Sequence, residues 1–363
     1  MADVLHLRGP VLTGAGPEDV RDGAWVLGGR VTFERPGGDH DETAVDGWVV
    51  PGLVDAHCHV GLAAHGAVDD ATAEQQATAD RDAGTLLIRD AGSPADTRWV
   101  DAREDLPKIV RAGRHIARTR RYLRNFAEEI EPDQLVAQVR RQAHRGDGWV
   151  KLVGDWIDRS TGDLSPCWPA DALRDAIAAA HDEGARVTAH CFGEDCLPDL
   201  LAAGIDGIEH GSGLTPETTA LAASQQVAVV PTMVNLGRFP EIAAPARGRY
   251  DLYADHMLAL HARRYATIGA AHEAGVPIFA GTDAGGSLPH GLIAAEVAEL
   301  VSAGLSHLQA LDAACWRARE WLGRPGLTEG EDADLVVYDA DPRRDVGVLA
   351  HPRAIVLRGR TVG

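Results

Sequence analysis

The middle of the chain alternates between short apolar runs and longer stretches with helical periodicity. The apolar runs are continuous, which predicts strands that are buried on both faces. They lie at Trp48–Val54, Thr85–Ile88, Lys108–Arg111, Trp149–Val153, Ala185–Ala189, Gly207–Glu209, Val227–Val230 and Val276–Ala280. A repeat of 3.6 residues predicts helices in the gaps, over Asp133–His144 and Ala170–Glu183.

Two further helices are predicted from the residues at their ends. Thr215, Pro216 and Glu217 place a capping hydroxyl, a first-turn proline and an early acid at the start of one helix. Ser306 opens another helix, which is predicted to run to Gly323, because a glycine there gives a C-terminal stop.

Both ends of the chain show short strands and turns without helical periodicity. The strands are predicted at Val4–Leu7, Ala24–Leu27, Arg30–Phe33, Ala44–Val50, Asp334–Tyr338 and Ala354–Leu357. Gly28 and Gly29 predict a two-residue hairpin turn between the second and the third of them. We therefore expect residues 1–50 and 330–363 to form one small β-sandwich domain.

Strands that alternate with helices predict an α/β fold for the rest of the chain. About eight strands over roughly 280 residues fit a (β/α)8 TIM barrel, which we assign to residues 51–329. A doubly wound open sheet is the competing architecture. It usually carries a glycine-rich phosphate turn after its first strand, and no such motif follows the first strand here.

Composition and charge narrow the range of partners. A hydrophobic fraction of 45% with 25% charged residues is typical of a globular protein, and the net charge of −19 argues against nucleic acid or an anionic membrane as a partner. Neither a signal peptide nor a membrane-spanning run is recognisable, and the five cysteines are scattered and odd in number. We expect a cytoplasmic protein with a small-molecule substrate, and the sequence leaves a homo-oligomer open.

Metal-binding residue types recur where the predicted strands end, which is where barrels of this kind carry catalytic groups. His57 and His59 follow the first strand, and the two-residue alternation of a strand lets one divalent ion bind both imidazoles. His190, His210 and Asp283 end three later strands. Imidazole nitrogens with one carboxylate are the ligands that zinc prefers.

Lys151 lies inside the apolar strand Trp149–Val153, where an ammonium group is costly unless it is paired or neutral. A carboxylate across the barrel would explain it. Beside two metal ions there is a second explanation, because a neutral buried amine can capture carbon dioxide and the resulting carbamate can bridge two cations. The residues alone leave both explanations open.

Taken together, these segments resemble the amidohydrolase superfamily, and within it the prolidase-like and imidazolonepropionase-like branch. The matching segments are Val49–His59, Trp149–Leu152, Val187–His190, Ala202–Gly211, Val230–Thr232, Gly281–Gly285 and Gly330–Val337. The resemblance covers essentially the whole chain. It implies a metal-dependent hydrolase with two zinc ions: His57, His59 and Asp283 on one, His190 and His210 on the other, and carboxylated Lys151 bridging them together with a hydroxide.

The implied centre is suited to the hydrolysis of amides. Two cations lower the pKa of a shared water, and one of them polarises the scissile carbonyl. Asp283 would take the proton and return it to the leaving nitrogen. We therefore predict cleavage of a C–N amide bond in a dipeptide or an N-acyl amino acid.

One departure from the family pattern bears on the alternatives. Deaminases and imidazolonepropionases of the superfamily carry a glutamate three residues after the histidine of the fifth strand; here that residue is Gly193, and Glu194 comes one position too late. This favours a binuclear amide hydrolase over a cyclic-amide hydrolase or deaminase with a mononuclear site. A non-catalytic barrel relative is the remaining alternative, although such proteins usually lose metal ligands.

Four residues are predicted to contact the substrate. Arg121 and Tyr122, near the end of the third strand, would offer a cation and a phenol to a substrate carboxylate, although a solvated basic surface explains them equally well. Trp156 follows the fourth strand in a segment that departs from the prolidase-like pattern. His290 comes shortly after Asp283.

Overall fold

A computed structural model describes residues 3–362 of the chain. Its strands, in chain order, are β1 (Asp3–Leu12), β2 (Val20–Leu27), β3 (Arg30–Thr32), β4 (Asp41–Asp46), β5 (Trp48–Pro51), β6 (Leu53–Cys58), β7 (Leu62–Ala63), β8 (Gly66–Ala67), β9 (Thr85–Asp90), β10 (Lys108–Arg111), β11 (Ile116–Arg118), β12 (Glu128–Ile130), β13 (Trp149–Val153), β14 (Asp155–Asp158), β15 (Asp163–Pro166), β16 (Arg186–Cys191), β17 (Gly207–His210), β18 (Ala228–Val230), β19 (Leu335–Tyr338), β20 (Ala354–Leu357) and β21 (Arg360–Val362).

The helices lie mainly between the central strands. They are α1 (Asp70–Asp82), α2 (Leu135–Arg145), α3 (Ala170–Asp182), α4 (Leu197–Ala202), α5 (Pro216–Gln225), α6 (Met233–Leu236), α7 (Phe239–Ala243), α8 (Asp251–Glu273), α9 (Ile293–Ser302), α10 (His307–Asp312) and α11 (Trp316–Trp321). Short 3-10 helices lie at Arg98–Ala102, Pro132–Gln134, Ala244–Ala246 and Val346–Ala350. Within residues 3–362, no helix has the length and apolar character needed to cross a membrane.

Both ends of the chain contribute to one eight-stranded sheet. Its order is β21-β20-β19-β5-β1-β2-β3, and β4 also pairs with β1. The β2–β3 hairpin turns at Gly28 and Gly29, whose φ angles of 58° and 82° are those of the predicted two-residue turn. The prediction that the two ends build one β-structure is confirmed, whereas their arrangement as a sandwich domain stays a prediction.

The central strands form two parallel sheets. One has the order β10-β9-β6 and the other the order β12-β11-β13-β16-β17-β18. The predicted strand Val276–Ala280 is not a regular strand, but its backbone bonds to both sheets: the Phe279 amide donates to Val229 of β18 (3.0 Å), and the Ala56 amide of β6 donates to Ala280 (2.8 Å). The fold is therefore mixed α/β, with its sheets connected through this segment.

The predicted strand Trp48–Val54 is divided at Gly52. β5 pairs with β19 of the terminal sheet, and β6 pairs with β9 of a central sheet, so the chain passes from one sheet to the other at this glycine. A Cβ atom on Gly52 would lie 2.4 Å from the Cβ of Leu86, which leaves no room for a side chain. The strand that leads to the metal-type histidines is thus anchored to the terminal sheet.

The prediction of a single helix from Ser306 to Gly323 is wrong, because the chain forms α10 and α11 with a break between them. At the break, the carbonyl of Ala314 accepts from the Val54 amide at 2.7 Å, and that of Ala313 accepts from the Ala280 amide at 3.0 Å. Hydrogen bonds to the central strands therefore replace helical ones.

Candidate metal centre and substrate cavity

Three predicted ligands lie with their donor atoms close together. His57 Nε2 is 3.2 Å from His59 Nε2, and these atoms lie 3.1 Å and 3.0 Å from Asp283 Oδ1. Ligand atoms around a tetrahedral zinc ion at about 2.1 Å are about 3.4 Å apart. Although burial acts to raise it, the pKa of Asp283 is held well below its usual value by His57 and by hydrogen bonds from both histidines. The three side chains can hold one small divalent ion.

His190 and His210 form a second pair of donors. His210 Nε2 lies 3.0 Å from His190 Nδ1, and both rings are buried. Burial is the main cause that lowers the pKa of His210 to about 3 and that of His190 well below its usual value. Both imidazoles are therefore neutral near pH 7, which is the form that binds metals.

Polar contacts behind the histidines hold three of the rings. The contacts are His57 Nδ1 to Glu209 Oε2 at 2.6 Å, His59 Nδ1 to Gly92 O at 2.6 Å and His210 Nδ1 to Thr232 Oγ1 at 2.8 Å. Each uses Nδ1 and leaves Nε2 directed at the cluster. Such outer partners set the tautomer and the basicity of metal-binding histidines.

Glu209 is a residue of the candidate site that sequence reasoning missed. It is fully buried and accepts hydrogen bonds from Arg89 Nη2 and Thr188 Oγ1, each at 2.5 Å. Burial acts to raise its pKa, but the charges of Arg89 and His57 hold the pKa well below its usual range. The available signal was an acid inside an apolar strand directly before His210, comparable to the signal that singled out Lys151.

Lys151 lies on β13 and is 1% exposed. Burial lowers the pKa of its amine to about 8, against the opposing effect of Glu209 and Asp283. A sizeable neutral fraction near pH 8 follows, and only the neutral amine can add to carbon dioxide.

Three residues of this cluster have backbone in the left-handed region. The φ angles are 68° at His210, 58° at Asp283 and 50° at Thr232. Histidine and aspartate adopt such angles more readily than most residues, but a β-branched threonine is an outlier. Strained backbone of this kind concentrates at functional sites, where the surrounding structure holds it in place.

A cavity of about 330 Å³ opens beside these residues. It is lined by aromatic, aliphatic and a few polar side chains: His59, Leu62, Ala64, His115, Tyr122, Leu123, Phe126, Trp156, His190, Phe192, Asn235, Ile242, Tyr253, Asp283, Gly285, Gly286, Ser287 and Leu288. Tyr122 and Trp156 are thus placed at the cavity. Arg121 and His290 are not among these lining residues.

Arg121 and His290 bond elsewhere. The Arg121 guanidinium donates to Asp158 Oδ2 and to the carbonyls of Trp156 and Ser165, each at 2.9 Å, so it fastens the β14–β15 hairpin. His290 Nδ1 lies 2.8 Å from Asp80 Oδ2 on α1.

His115 is a second residue that sequence reasoning missed. It is fully buried, lines the cavity, and within residues 3–362 neither of its ring nitrogens has a hydrogen-bond partner. Its ring centroid is 5.0 Å from that of His59. Burial is the main cause that lowers its pKa well below the usual value, so the ring is neutral. The predicted strand Lys108–Arg111 ends four residues before His115, and no strand was predicted at β11, so His115 was not recognised as a strand-end residue.

Glu194 is directed away from the predicted ligands. It accepts a 2.8 Å hydrogen bond from His256 Nε2 and forms an ion pair with Arg263. The space beside Gly193 is occupied by Asp155, whose Oδ2 would lie 3.1 Å from a Cβ atom on that glycine. No glutamate side chain from this segment reaches the cluster.

Known proteins resemble the chain in sequence and in fold. An uncharacterized protein of Mycobacterium tuberculosis is 56% identical over 361 residues, covering 99% of this chain and 96% of that protein. The crystal structure of a Xaa-Pro dipeptidase with bound methionine in the active site has a TM-score of 0.83 at 20% identity and covers 100% of both chains. Aspergillus niger ochratoxinase is 26% identical over 231 residues, which is 61% of this chain and 47% of that enzyme. Its crystal structure has a TM-score of 0.79 at 20% identity, covering 99% of this chain and 95% of the other.

The solved structures show that the mixed α/β fold is the one found in amidohydrolases. In addition, the sequence model of the amidohydrolase family matches residues 48–362, from β5 through the candidate site to β21. Members of this family generally bind divalent metals, and the cluster of His57, His59 and Asp283 provides suitable ligands. The chain belongs to the amidohydrolase family.

Proposed function

We propose that this protein hydrolyses a C–N amide bond at a binuclear zinc centre in a (β/α)8 barrel. The observation that carries the proposal is the pair of preformed donor sets, with donor atoms 3.0–3.2 Å apart. They lie where β6, β16, β17 and the segment Val276–Ala280 end. Family membership supports hydrolysis as the reaction class. The backbone bonds of Phe279 and Ala280 to both central sheets support closure of the barrel.

The residues fit two divalent ions. We assign His57, His59 and Asp283 to one ion, His190 and His210 to the other, and carboxylated Lys151 to a bridging position. Neutral imidazoles, an ionised carboxylate and a lysine with a lowered pKa are the protonation states that such a centre requires. When bound, the ions would supply an activated water and polarise the scissile carbonyl.

Asp283 and His115 are the side chains that handle protons and the substrate oxygen in this proposal. Asn235 Nδ2 donates to Asp283 Oδ2 at 2.7 Å, which holds the carboxylate in place to take a proton from the attacking water and deliver it to the leaving nitrogen. The neutral imidazole of His115 faces the cavity and donates a hydrogen bond to the substrate oxygen. The aromatic wall excludes water from the reacting atoms.

Dipeptides and N-acyl amino acids are the first substrate classes to test. The solved relatives include a Xaa-Pro dipeptidase and an ochratoxinase. A deaminase or cyclic-amide hydrolase with a mononuclear site is the rival. It is disfavoured because Glu194 bonds to His256 and Arg263 instead of the cluster.

The test is the amount of metal per chain, together with activity. The protein is stripped with a chelator and reloaded with zinc, with and without bicarbonate, and hydrolysis of dipeptides, N-acyl amino acids, lactams and lactones is measured. We expect two zinc ions per chain and cleavage of linear amides. A single equivalent of zinc with full activity would refute the bridged centre.

Lys151→Ala supplies a sharper version of the test. We expect it to bind about one zinc per chain and to lose hydrolysis, with partial recovery when a short carboxylic acid such as propionate occupies the vacated position. Lys108→Ala is the matched control, because Lys108 is an exposed lysine paired with Asp332 and should keep both zinc ions. Two tightly bound zinc ions in Lys151→Ala would contradict the bridging role.

A further inference from the structure

Aromatic rings form a large part of the wall of the substrate cavity. The rings of Tyr122 and Trp156 meet edge to face at a centroid distance of 4.7 Å, and the Phe192 ring lies 4.2 Å from the His190 ring. A volume of about 330 Å³ is at the small end of the range of small-molecule sites, which runs from about 300 to 1,000 Å³. The cavity therefore has room for a compact substrate with one or two rings, packed against ring edges and faces.

The side chains of the same wall carry no permanent positive charge. None of the described residues that line the cavity is a lysine or an arginine, and Asp283 is their sole carboxylate. Asp283 is already bonded to both histidines of the first donor set and to Asn235. A charged group on the substrate would thus meet no free side chain of opposite charge there.

Two arginines near the cavity are engaged in other contacts. Arg121 uses its guanidinium on Asp158 and on the β14–β15 hairpin. Arg238 donates from Nη1 to the Ser287 hydroxyl, which lines the cavity, and from Nε to Glu241, each at 3.1 Å. With the metal ions engaged by their protein ligands, the activated water and the scissile carbonyl, a substrate carboxylate would lose its hydration and find only neutral donors such as the Tyr122 phenol and the His115 imidazole. Burial of a charge without a cationic partner is unfavourable.

We infer that the natural substrate is an uncharged aromatic amide, and that a carboxylate adjacent to the scissile bond is selected against. This inference rests on the proposed amide hydrolysis and departs from the dipeptides and N-acyl amino acids named above as the first classes to test. It places the protein's substrates among neutral acyl amides or anilides, outside the dipeptides and N-acyl amino acids.

A matched pair of compounds tests the inference on the zinc-loaded protein. N-phenethylbenzamide and N-benzoylphenylalanine have the same two rings and the same amide bond, and they differ by one carboxylate. We expect kcat/KM to be at least about tenfold higher for the neutral compound, with a correspondingly lower Kd by calorimetry. Equal values, or a preference for the acid, would overturn the inference.

Binding separates a failure of this inference from a failure of the proposed function. If neither compound is cleaved, the proposed amide hydrolysis fails for this class, and the ratio of the two Kd values still decides whether the cavity rejects the carboxylate. Tighter binding of the neutral compound supports the inference, and equal or weaker binding overturns it.

Two leucine variants test whether the lack of a positively charged side chain causes the preference for the neutral compound. Leu123 lines the cavity and is 46% exposed, whereas Leu221 on α5 is 44% exposed and is not a lining residue. Leu123→Arg should improve kcat/KM and Kd for the acid by about three- to fivefold, the range of an exposed ion pair, and Leu221→Arg should leave both unchanged. An unchanged preference in Leu123→Arg would contradict the electrostatic cause.

Arg238→Gln should not alter binding of the acid, and a loss of binding would show that Arg238 already recognises a carboxylate.

Discussion

Replacing Glu209 by glutamine removes one negative charge behind His57 and keeps the side-chain volume. Glu209 accepts from Arg89 and Thr188 through Oε1, and its Oε2 lies 2.6 Å from His57 Nδ1. An amide has only one acceptor atom. If the amide oxygen of the glutamine accepts from Arg89, the amide nitrogen points at the Nδ1–H group of His57, so that two donors face each other.

The expected effects are large because every partner is buried. Arg89 is 0% exposed, and breaking a buried ion pair by removing one partner costs about 3–5 kcal/mol. The Trp149 ring, 4.7 Å from the Arg89 guanidinium, does not replace the lost charge. Loss of an outer partner of a metal-binding histidine weakens metal affinity by about 10–100-fold.

The assay combines zinc affinity by chelator competition with unfolding in urea. We expect Glu209→Gln to have both a lower free energy of unfolding and a lower affinity for zinc. Glu194→Gln is the matched control, because Glu194 is partly exposed and bonds to His256 and Arg263. Zinc affinity should stay the same, and stability should fall by no more than about 2 kcal/mol, the upper limit for two exposed ion pairs. Wild-type zinc affinity with an unchanged urea midpoint in Glu209→Gln would refute the role assigned to this residue.

Two further predictions concern the surroundings of the cluster. Asn235→Ala removes the 2.7 Å hydrogen bond to Asp283 and should lower kcat/KM by about 10–100-fold while two zinc ions remain bound. Steady-state kinetics and metal analysis measure the two quantities. An undiminished kcat/KM would show that the hydrogen bond is dispensable. The pKa of His256 is raised from 6.5 to about 9, mainly by its hydrogen bond to Glu194 and also by Asp163. Because the folded state binds this proton more tightly than the unfolded state, the stabilisation is fully present below pH 6.5 and is lost as the pH rises through about 9. His256→Gln should therefore have a smaller fall in Tm over that interval than the wild type, and an equal fall would place the titration elsewhere.

Sequence reasoning identified the metal-type residues because strand ends carry a clear signal. Alternation along one strand put His57 and His59 on the same side, and the ends of later strands supplied His190, His210 and Asp283. The structure brings the first pair together with Asp283 and places His190 beside His210. Their roles as ligands stay predictions, but their positions follow from the register of buried strands.

The missed residues depend on contacts between distant segments. His115 precedes a strand that has no distinct apolar pattern, and its position beside His59 arises from tertiary packing. Arg121 was a reasonable candidate for a substrate cation, but the β14–β15 hairpin supplies the acceptors that engage it. The break between α10 and α11 has the same origin, because strand amides compete for helix carbonyls.

Thr232 is a position where selection for stability and selection for activity would act in opposite directions. Its left-handed backbone costs about 1–3 kcal/mol, while its hydroxyl holds the ring of His210 in place. Glycine would relax the backbone and abolish the hydroxyl contact. A library of variants selected for thermal tolerance alone should therefore enrich substitutions at Thr232, whereas selection for hydrolysis should remove them. Retention of Thr232 thus indicates selection for activity and not for stability of the fold.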